Sequence, residues 1–152
     1  MIRVLICDDH QIVRQGIKQI LADASDLALA GEAASGPEAI ARVRAGGIDV
    51  VLMDIAMPQR DGLDVLKQLK AEFPKLPVLM LSTYPDRQYA VRSLKLGAAG
   101  YLNKSADAEQ MTEAIRRVAG GRQFITPNVA EQLAGAVGGG TRVRHTMSIA
   151  LD

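Results

Sequence analysis

Along the chain, short runs of apolar residues alternate with longer stretches in which apolar residues return every three to four positions. Ile2 to Cys7 is the first apolar run, and its length and composition predict a strand. Ile12, Val13, Gly16, Ile17, Ile20 and Leu21 then recur at helical spacing. A weaker strand is expected over Leu27 to Ala30. The helix after it starts near Ser35-Gly36-Pro37, carries Ala39, Ile40 and Val43, and stops at Gly46-Gly47. Ile48 to Met53 and Leu76 to Leu81 are apolar almost throughout, as strands covered on both faces should be. Between them a helix places Leu63, Leu66, Leu69 and Phe73 on one side and ends at Pro74. Pro85 is suited to open the next helix, which carries Val91 and Leu94 and closes at Gly97. A short fifth strand, Gly100-Tyr101-Leu102, leads to a helix with Met111, Ile115 and Val118, closed by Gly120-Gly121.

Five β–α units in series predict a parallel sheet with helices on both faces, because a crossover between parallel strands must pass over the sheet. The short strands and helix spacing suggest a flavodoxin-like, doubly wound α/β fold: five strands in the order 2-1-3-4-5 with five flanking helices. These units occupy residues 1–121. Residues 122–152 read differently. Val129, Ala130, Leu133, Ala134 and Val137 share a helical register over Pro127 to Val137, which predicts a C-terminal linker helix. Gly138-Gly139-Gly140 then interrupts it, and a polar tail with Arg142, Arg144 and His145 follows.

Composition narrows the function. The 152 residues carry a formal charge of +1, with 48% apolar and 23% charged positions, an ordinary globular balance. Residues 1–121 hold 15 Lys+Arg and 15 Asp+Glu, and residues 122–152 hold three against two. Neither part has the basic footprint of a DNA reader, and 3% aromatics without Trp argue against a base-stacking platform. Cys7 is the single cysteine, which excludes an intrachain disulfide and reads as a buried strand residue in a reducing cytoplasm. The N-terminus lacks the features of a signal peptide, and no apolar run approaches the ~20 residues of a membrane span. A cytoplasmic protein with no membrane partner is expected.

In open α/β sheets ligands sit beyond the carboxyl ends of the strands. There the sequence places Asp8 and Asp9 after strand one, Asp54 after strand three, Ser82 and Thr83 after strand four, and Lys104 after strand five. Singly, each is an ordinary loop or cap residue. Together, three carboxylates in one pocket repel unless a cation joins them. Mg²⁺ suits such a site, since it takes one or two carboxylates and keeps places for water and phosphate oxygens. A hydroxyl and an ammonium beside it complete a set suited to phosphoryl transfer.

With every block in order over about residues 1–121, the sequence resembles a two-component response regulator receiver domain. Asp8-Asp9 matches the acidic metal pair, and Asp54, within Asp54-Ile55-Ala56-Met57-Pro58 and followed by Asp61-Gly62, matches the phosphoacceptor. Ser82 matches the hydroxyl residue, Tyr101 the aromatic switch and Lys104 the lysine of the family. Asp8-Asp9-His10-Gln11-Ile12-Val13-Arg14-Gln15-Gly16-Ile17, with Gly97-Ala98-Ala99-Gly100-Tyr101-Leu102, resembles the NarL/FixJ branch, which joins the receiver to a C-terminal helix-turn-helix domain of LuxR type. The resemblance implies a sensor histidine kinase as phosphoryl donor, allows a homodimer, and implies DNA contact only through a C-terminal domain. It implies Mg²⁺, with Mn²⁺ able to substitute, on Asp9, Asp54 and the Ala56 carbonyl, with Asp8 acting partly through water. Lys104 and Ser82 would bind the phosphoryl oxygens, and Ser82 and Tyr101 would switch together. The protein would be no enzyme beyond its own phosphorylation and dephosphorylation. His10 reads as a helix-start residue rather than a ligand.

Three positions depart from the pattern. Ala56 stands where many receivers carry a polar side chain, and bulky Tyr84 occupies the other rate-tuning position, so slow self-dephosphorylation is expected. Ser105 replaces a proline after the lysine, which puts a cis peptide there in doubt. The tail from His145 to Asp152 resembles the approach to the branch's DNA-binding domain, so the chain is expected to be a piece of a longer transcriptional regulator. Two rival readings stand beside this one. A Mg²⁺-dependent aspartyl-nucleophile phosphohydrolase uses a similar carboxylate cluster, and a protein-binding module could retain the acids without phosphorylation.

Overall fold

A computed structural model describes residues 1–57, 60–83 and 87–125. Its elements alternate strictly: β1 (Ile2–Cys7), α1 (Gln11–Ala22), β2 (Leu27–Ala33), α2 (Gly36–Arg44), β3 (Val50–Asp54), α3 (Gly62–Glu72), β4 (Val78–Ser82), α4 (Arg87–Lys95), β5 (Gly100–Asn103) and α5 (Ala108–Ala119). The strands form one parallel sheet in the order β2-β1-β3-β4-β5, as the pattern predicts.

The period of two along each strand sorts its side chains to two cores. Leu5 and Cys7 of β1, Val51 and Met53 of β3, and Val78 and Met80 of β4 pack with α2, α3 and α4. Val4 and Ile6, Val50 and Leu52, and Leu79 and Leu81 pack on the other face against Ile17 and Leu21 of α1 and Met111, Ala114, Ile115 and Val118 of α5. Strands β3 and β4 are buried at every position, which is why they read as continuous apolar runs.

The boundaries differ from expectation where local bonding decides them. β3 and β4 begin two residues late: the Asp49 carboxylate accepts from Arg3 N at 2.8 Å, and Pro77 has no N–H to give a ladder. Both strands run one residue further, so that Asp54 and Ser82 are the last strand residues rather than the first loop residues. β2 continues to Ala33 through a shift in its pairing with β1, where Val4 faces Leu29 and Leu5 faces Gly31. In α1 the expected apolar face begins too early, for Ile12 is 84% exposed and the buried residues are Ile17 and Leu21. Val13 of the same turn packs against the core, so the apolar face of α1 starts one residue after Ile12.

Helix starts follow capping chemistry. Ser35 Oγ accepts from Glu38 N ahead of Pro37, Asp61 Oδ1 accepts from Leu63 N and Asp64 N, and Asp107 Oδ1 accepts from Gln110 N. After α5 the chain returns along the free edge of β5, where Phe124 forms a parallel bridge with Gly100. The expected linker helix over Pro127 to Val137, the glycine run and the tail lie outside the described residues, as do Pro58, Tyr84 and Pro85. No helix among the described residues is long and apolar enough to cross a membrane.

Candidate functional site

The sheet delivers its carboxyl ends to one rim, and a cleft of about 530 Å³ opens there. Asp54, Ser82 and Lys104 line it, together with His10, Met57 and Asp61. Asp54 ends β3 and is 2% exposed, and Asp8, the residue after β1, is fully buried. Lys104 reaches between them: its Nζ lies 2.7 Å from Asp8 Oδ2 and 3.0 Å from Asp54 Oδ2. Each acid has a second anchor. Asp8 Oδ1 accepts from His10 N at 2.8 Å, and Asp54 Oδ1 accepts from Ala56 N at 3.2 Å.

Short-range structure aims these groups. Lys104 sits in a turn in which Asn103 Oδ1 accepts from Ser105 N and Ser105 Oγ, and Ala106 N donates to the Asn103 carbonyl. Lys104 N itself donates to the Ser82 carbonyl at 2.8 Å, tying the ends of β4 and β5 together. No cis peptide bond occurs among the described residues, so the Lys104–Ser105 link is trans, in keeping with the missing proline. Below Asp54, Gly62 N donates to the Ile55 carbonyl at 2.7 Å, and a Cβ on Gly62 would collide with the Asp54 carbonyl oxygen. Glycine is thus required for α3 to start against the end of β3.

The electrostatics follow from burial. Removal from water raises the Asp54 pKa to about 6; Lys104 opposes that shift and the neighbouring Asp8 charge adds to it. Burial works against the Lys104 ammonium, yet its hydrogen bonds to Asp8 and Asp54 hold it above the ordinary lysine range. Cys7, directly beneath, has its thiol pushed up to about 12, chiefly by burial. The thiol packs 3.3 Å from Met57 Sδ and is the inert strand residue expected from the sequence.

Asp8, Asp9, His10 and Asp54 each offer a ligand atom, all within 4.8 Å of one another. The donor chemistry fits a hard divalent ion: three carboxylates against one ammonium leave two negative charges, and two of the acids are buried. His10 is the N-cap residue of α1, as expected, but its side chain does not cap the helix. The ring turns instead to the acids, with Nδ1 3.2 Å from Asp8 Oδ1 and 3.0 Å from Asp9 Oδ1. Periodicity carried no signal for this placement; only the adjacency of His10 to the acid pair did.

The remaining predicted residues lie as follows. Ser82 is buried at the cleft wall, Thr83 and Ala56 are exposed beside it, and Tyr101 is 7% exposed in the core on the α4 side of β5. Tyr84 lies outside the described residues. Sequence reasoning missed Tyr89 of α4, which lines the cleft, and Arg14, whose Nη1 donates to the Asp8 carbonyl.

Comparison with known proteins agrees with this geometry. The family model described as the response regulator receiver domain matches residues 4–116. The response regulator GacA of Pseudomonas viridiflava is 42% identical over 134 residues, covering 88% of this chain and 63% of GacA. The response regulator UvrY of Escherichia coli (strain K12) is 37% identical over 134 residues, covering 88% of this chain and 62% of UvrY. The chain thus spans less than two thirds of the length of these relatives. Among solved structures, a LuxR-family response regulator from Aurantimonas sp. SI85-9A1 superposes with a TM-score of 0.81 at 27% identity, covering 89% of this chain and 96% of that one. The response regulator ChrA of a heme-sensing two-component system gives 0.73 at 35% identity, covering 91% and 67%. The chain belongs to the response regulator receiver family of two-component systems, in its NarL/FixJ branch.

Proposed function

We propose that this receiver takes a phosphoryl group from the phosphohistidine of a sensor histidine kinase onto Asp54 and thereby controls transcription through an attached DNA-binding domain. One observation carries the reading: two buried carboxylates, Asp8 and Asp54, share a single ammonium, Lys104, and Asp54 and Lys104 line an open cleft. An Asp54 carboxylate oxygen attacks phosphorus, the P–N bond breaks, and the departing imidazole keeps the electron pair and takes up a proton. Asp8, Asp9, Asp54 and the Ala56 carbonyl would hold Mg²⁺, or Mn²⁺ in its place. The bound ion would offset negative charge on the phosphoryl oxygens. Lys104 must leave part of its contact with Asp8 and Asp54 to meet one phosphoryl oxygen, and Ser82 donates to another.

The same bonds drive the switch. Movement of Ser82 toward the phosphoryl group frees space on the α4 side of β5, into which Tyr101 turns, biasing a two-state equilibrium. Ala56 offers no side chain to orient an attacking water, and with Tyr84 this makes self-dephosphorylation slow. Transcriptional output is supported by similarity to a response regulator of the LuxR family and to a neighbour solved as two RcsB dimers bound to two parallel DNAs. A homodimer of this chain belongs to the same reading.

Acetyl phosphate with Mg²⁺ tests it. The wild-type chain is expected to take up one acid-stable, hydroxylamine-labile phosphoryl group, and Asp54→Asn none. Absence of labelling in the wild type would favour a binding module without phosphorylation. Sustained multiple turnover of a phosphate ester would favour an aspartyl phosphohydrolase.

A further inference from the structure

The acid pair after β1 is gripped from outside the cleft by charges that the phosphoryl chemistry does not use. Arg14, one turn into α1, has a side chain only 17% exposed. Its Nη1 donates to the Asp8 carbonyl oxygen at 2.5 Å and its Nε donates to Glu32 Oε1 of β2 at 3.1 Å. Lys18, the next turn of α1, donates to Glu32 Oε2 at 3.2 Å. Desolvation of Glu32 works the other way, but the bonds from Lys18 and Arg14 hold its carboxyl below the ordinary range, so the brace is ionised at neutral pH.

The two acids are held differently. The Asp8 side chain has anchors of its own, His10 N and Lys104 Nζ. The Asp9 side chain is 28% exposed, and its close contact is the His10 ring, whose side chain is 64% exposed. The direction of the Asp9 carboxylate therefore depends on the backbone that carries it. A peptide unit is planar, so fixing the Asp8 carbonyl fixes the plane from which Asp9 departs. We propose that Arg14, braced by Glu32, is a positioning residue that aims Asp9 at the Mg²⁺ site by gripping the Asp8 carbonyl. The inference rests on the reading of Asp8, Asp9 and Asp54 as that site. Groups that orient metal ligands from outside commonly govern about 10–100-fold in affinity.

Mn²⁺ binding to the 152-residue chain, followed by electron paramagnetic resonance of the free ion, tests the proposal alongside thermal unfolding. Arg14→Met, and Arg14→Lys, which keeps the charge but cannot make both bonds, should weaken Mn²⁺ binding about tenfold or more. Lys18→Met removes a positive charge but leaves both Arg14 bonds in place, so it should leave the affinity unchanged. Saturating Mg²⁺ should return the rate of labelling by acetyl phosphate in Arg14→Lys to the wild-type value, a split that lost stability alone would not produce. Wild-type affinity in both Arg14 variants, with Asp9→Asn defective, overturns the proposal and leaves the metal site standing. Equal losses in Lys18→Met and the Arg14 variants overturn it too, by making the effect one of general charge. If wild type and Asp9→Asn bind Mn²⁺ equally weakly, the metal site itself fails.

Discussion

At the scale of single residues, the centre is a compromise between burial and charge. Asp54 is kept for chemistry at a cost to the fold, since its pKa stands near 6 instead of the ordinary 3.8. The folded chain then binds the Asp54 proton more tightly than the unfolded chain, so the Asp54 contribution to metal-free stability falls as pH rises from about 4 to 6 and stays low above that. Denaturant unfolding without divalent ions across pH 4–8 should show this fall, and Asp54→Asn should flatten it. A variant that keeps the full pH dependence would place the titrating group elsewhere. Gly62 is a second residue whose identity is dictated by contact, because any side chain there meets the Asp54 carbonyl. Gly62→Ala should cost about 1–3 kcal/mol in chemical denaturation and slow labelling of Asp54, since relief requires β3 and α3 to separate just where the phosphoacceptor sits.

At the scale of elements, β5 has a partner that the periodicity did not announce. Phe124 N donates to the Ala99 carbonyl at 3.0 Å, and Tyr101 N donates more distantly, 3.4 Å, to the Phe124 carbonyl. Phe124 is buried in the α5-side core, while Ile125 packs on the opposite core that also holds Tyr101. The segment therefore straddles the sheet edge and blunts an otherwise open strand. Because the bridge is parallel, Phe124 and Ile125 run in the same direction as β5, toward the end that carries the site. Gly100 permits the approach, as a Cβ there would stand 2.6 Å from the Phe124 carbonyl oxygen. Gly100→Ala should release this edge at a cost of about 1–3 kcal/mol, read as lost amide-exchange protection at Tyr101 and Phe124. Unchanged protection at both amides would show that the bridge contributes nothing to the edge.

At the scale of the whole molecule, four crossovers gather groups from β1, β3, β4 and β5 at one rim, and a ligand that binds them binds only the folded state. Mg²⁺ at a hundredfold excess over its Kd should therefore raise stability by about 2.7 kcal/mol, visible as a higher Tm. Asp9→Asn should abolish that gain while leaving the metal-free Tm close to wild type, because Asp9 is not part of the core. A Tm insensitive to Mg²⁺ in the wild type would count against the proposed site.

The sequence by itself determined the order of elements, the two-sided burial of β3 and β4, and the strand-end placement of Asp8, Asp9, Asp54, Ser82 and Lys104. It could do so because apolar periodicity is a local property and strand ends are marked by polar residues and glycine. Only the tertiary structure decided that Lys104 lies within 3.0 Å of both Asp8 and Asp54, that the His10 ring joins the acids, and that Ile12 stays exposed. It also decided that Arg14 bonds at once to Glu32, eighteen positions away, and to the Asp8 carbonyl, and that Phe124 closes the β5 edge. The contacts of Lys104 with Asp8 and Asp54 and of Arg14 with Glu32 join different β–α units, and the order in which parallel strands lie side by side, with the shift between Val4 and Leu5, sets which side chains meet. Residue spacing along one strand or helix holds no record of that arrangement.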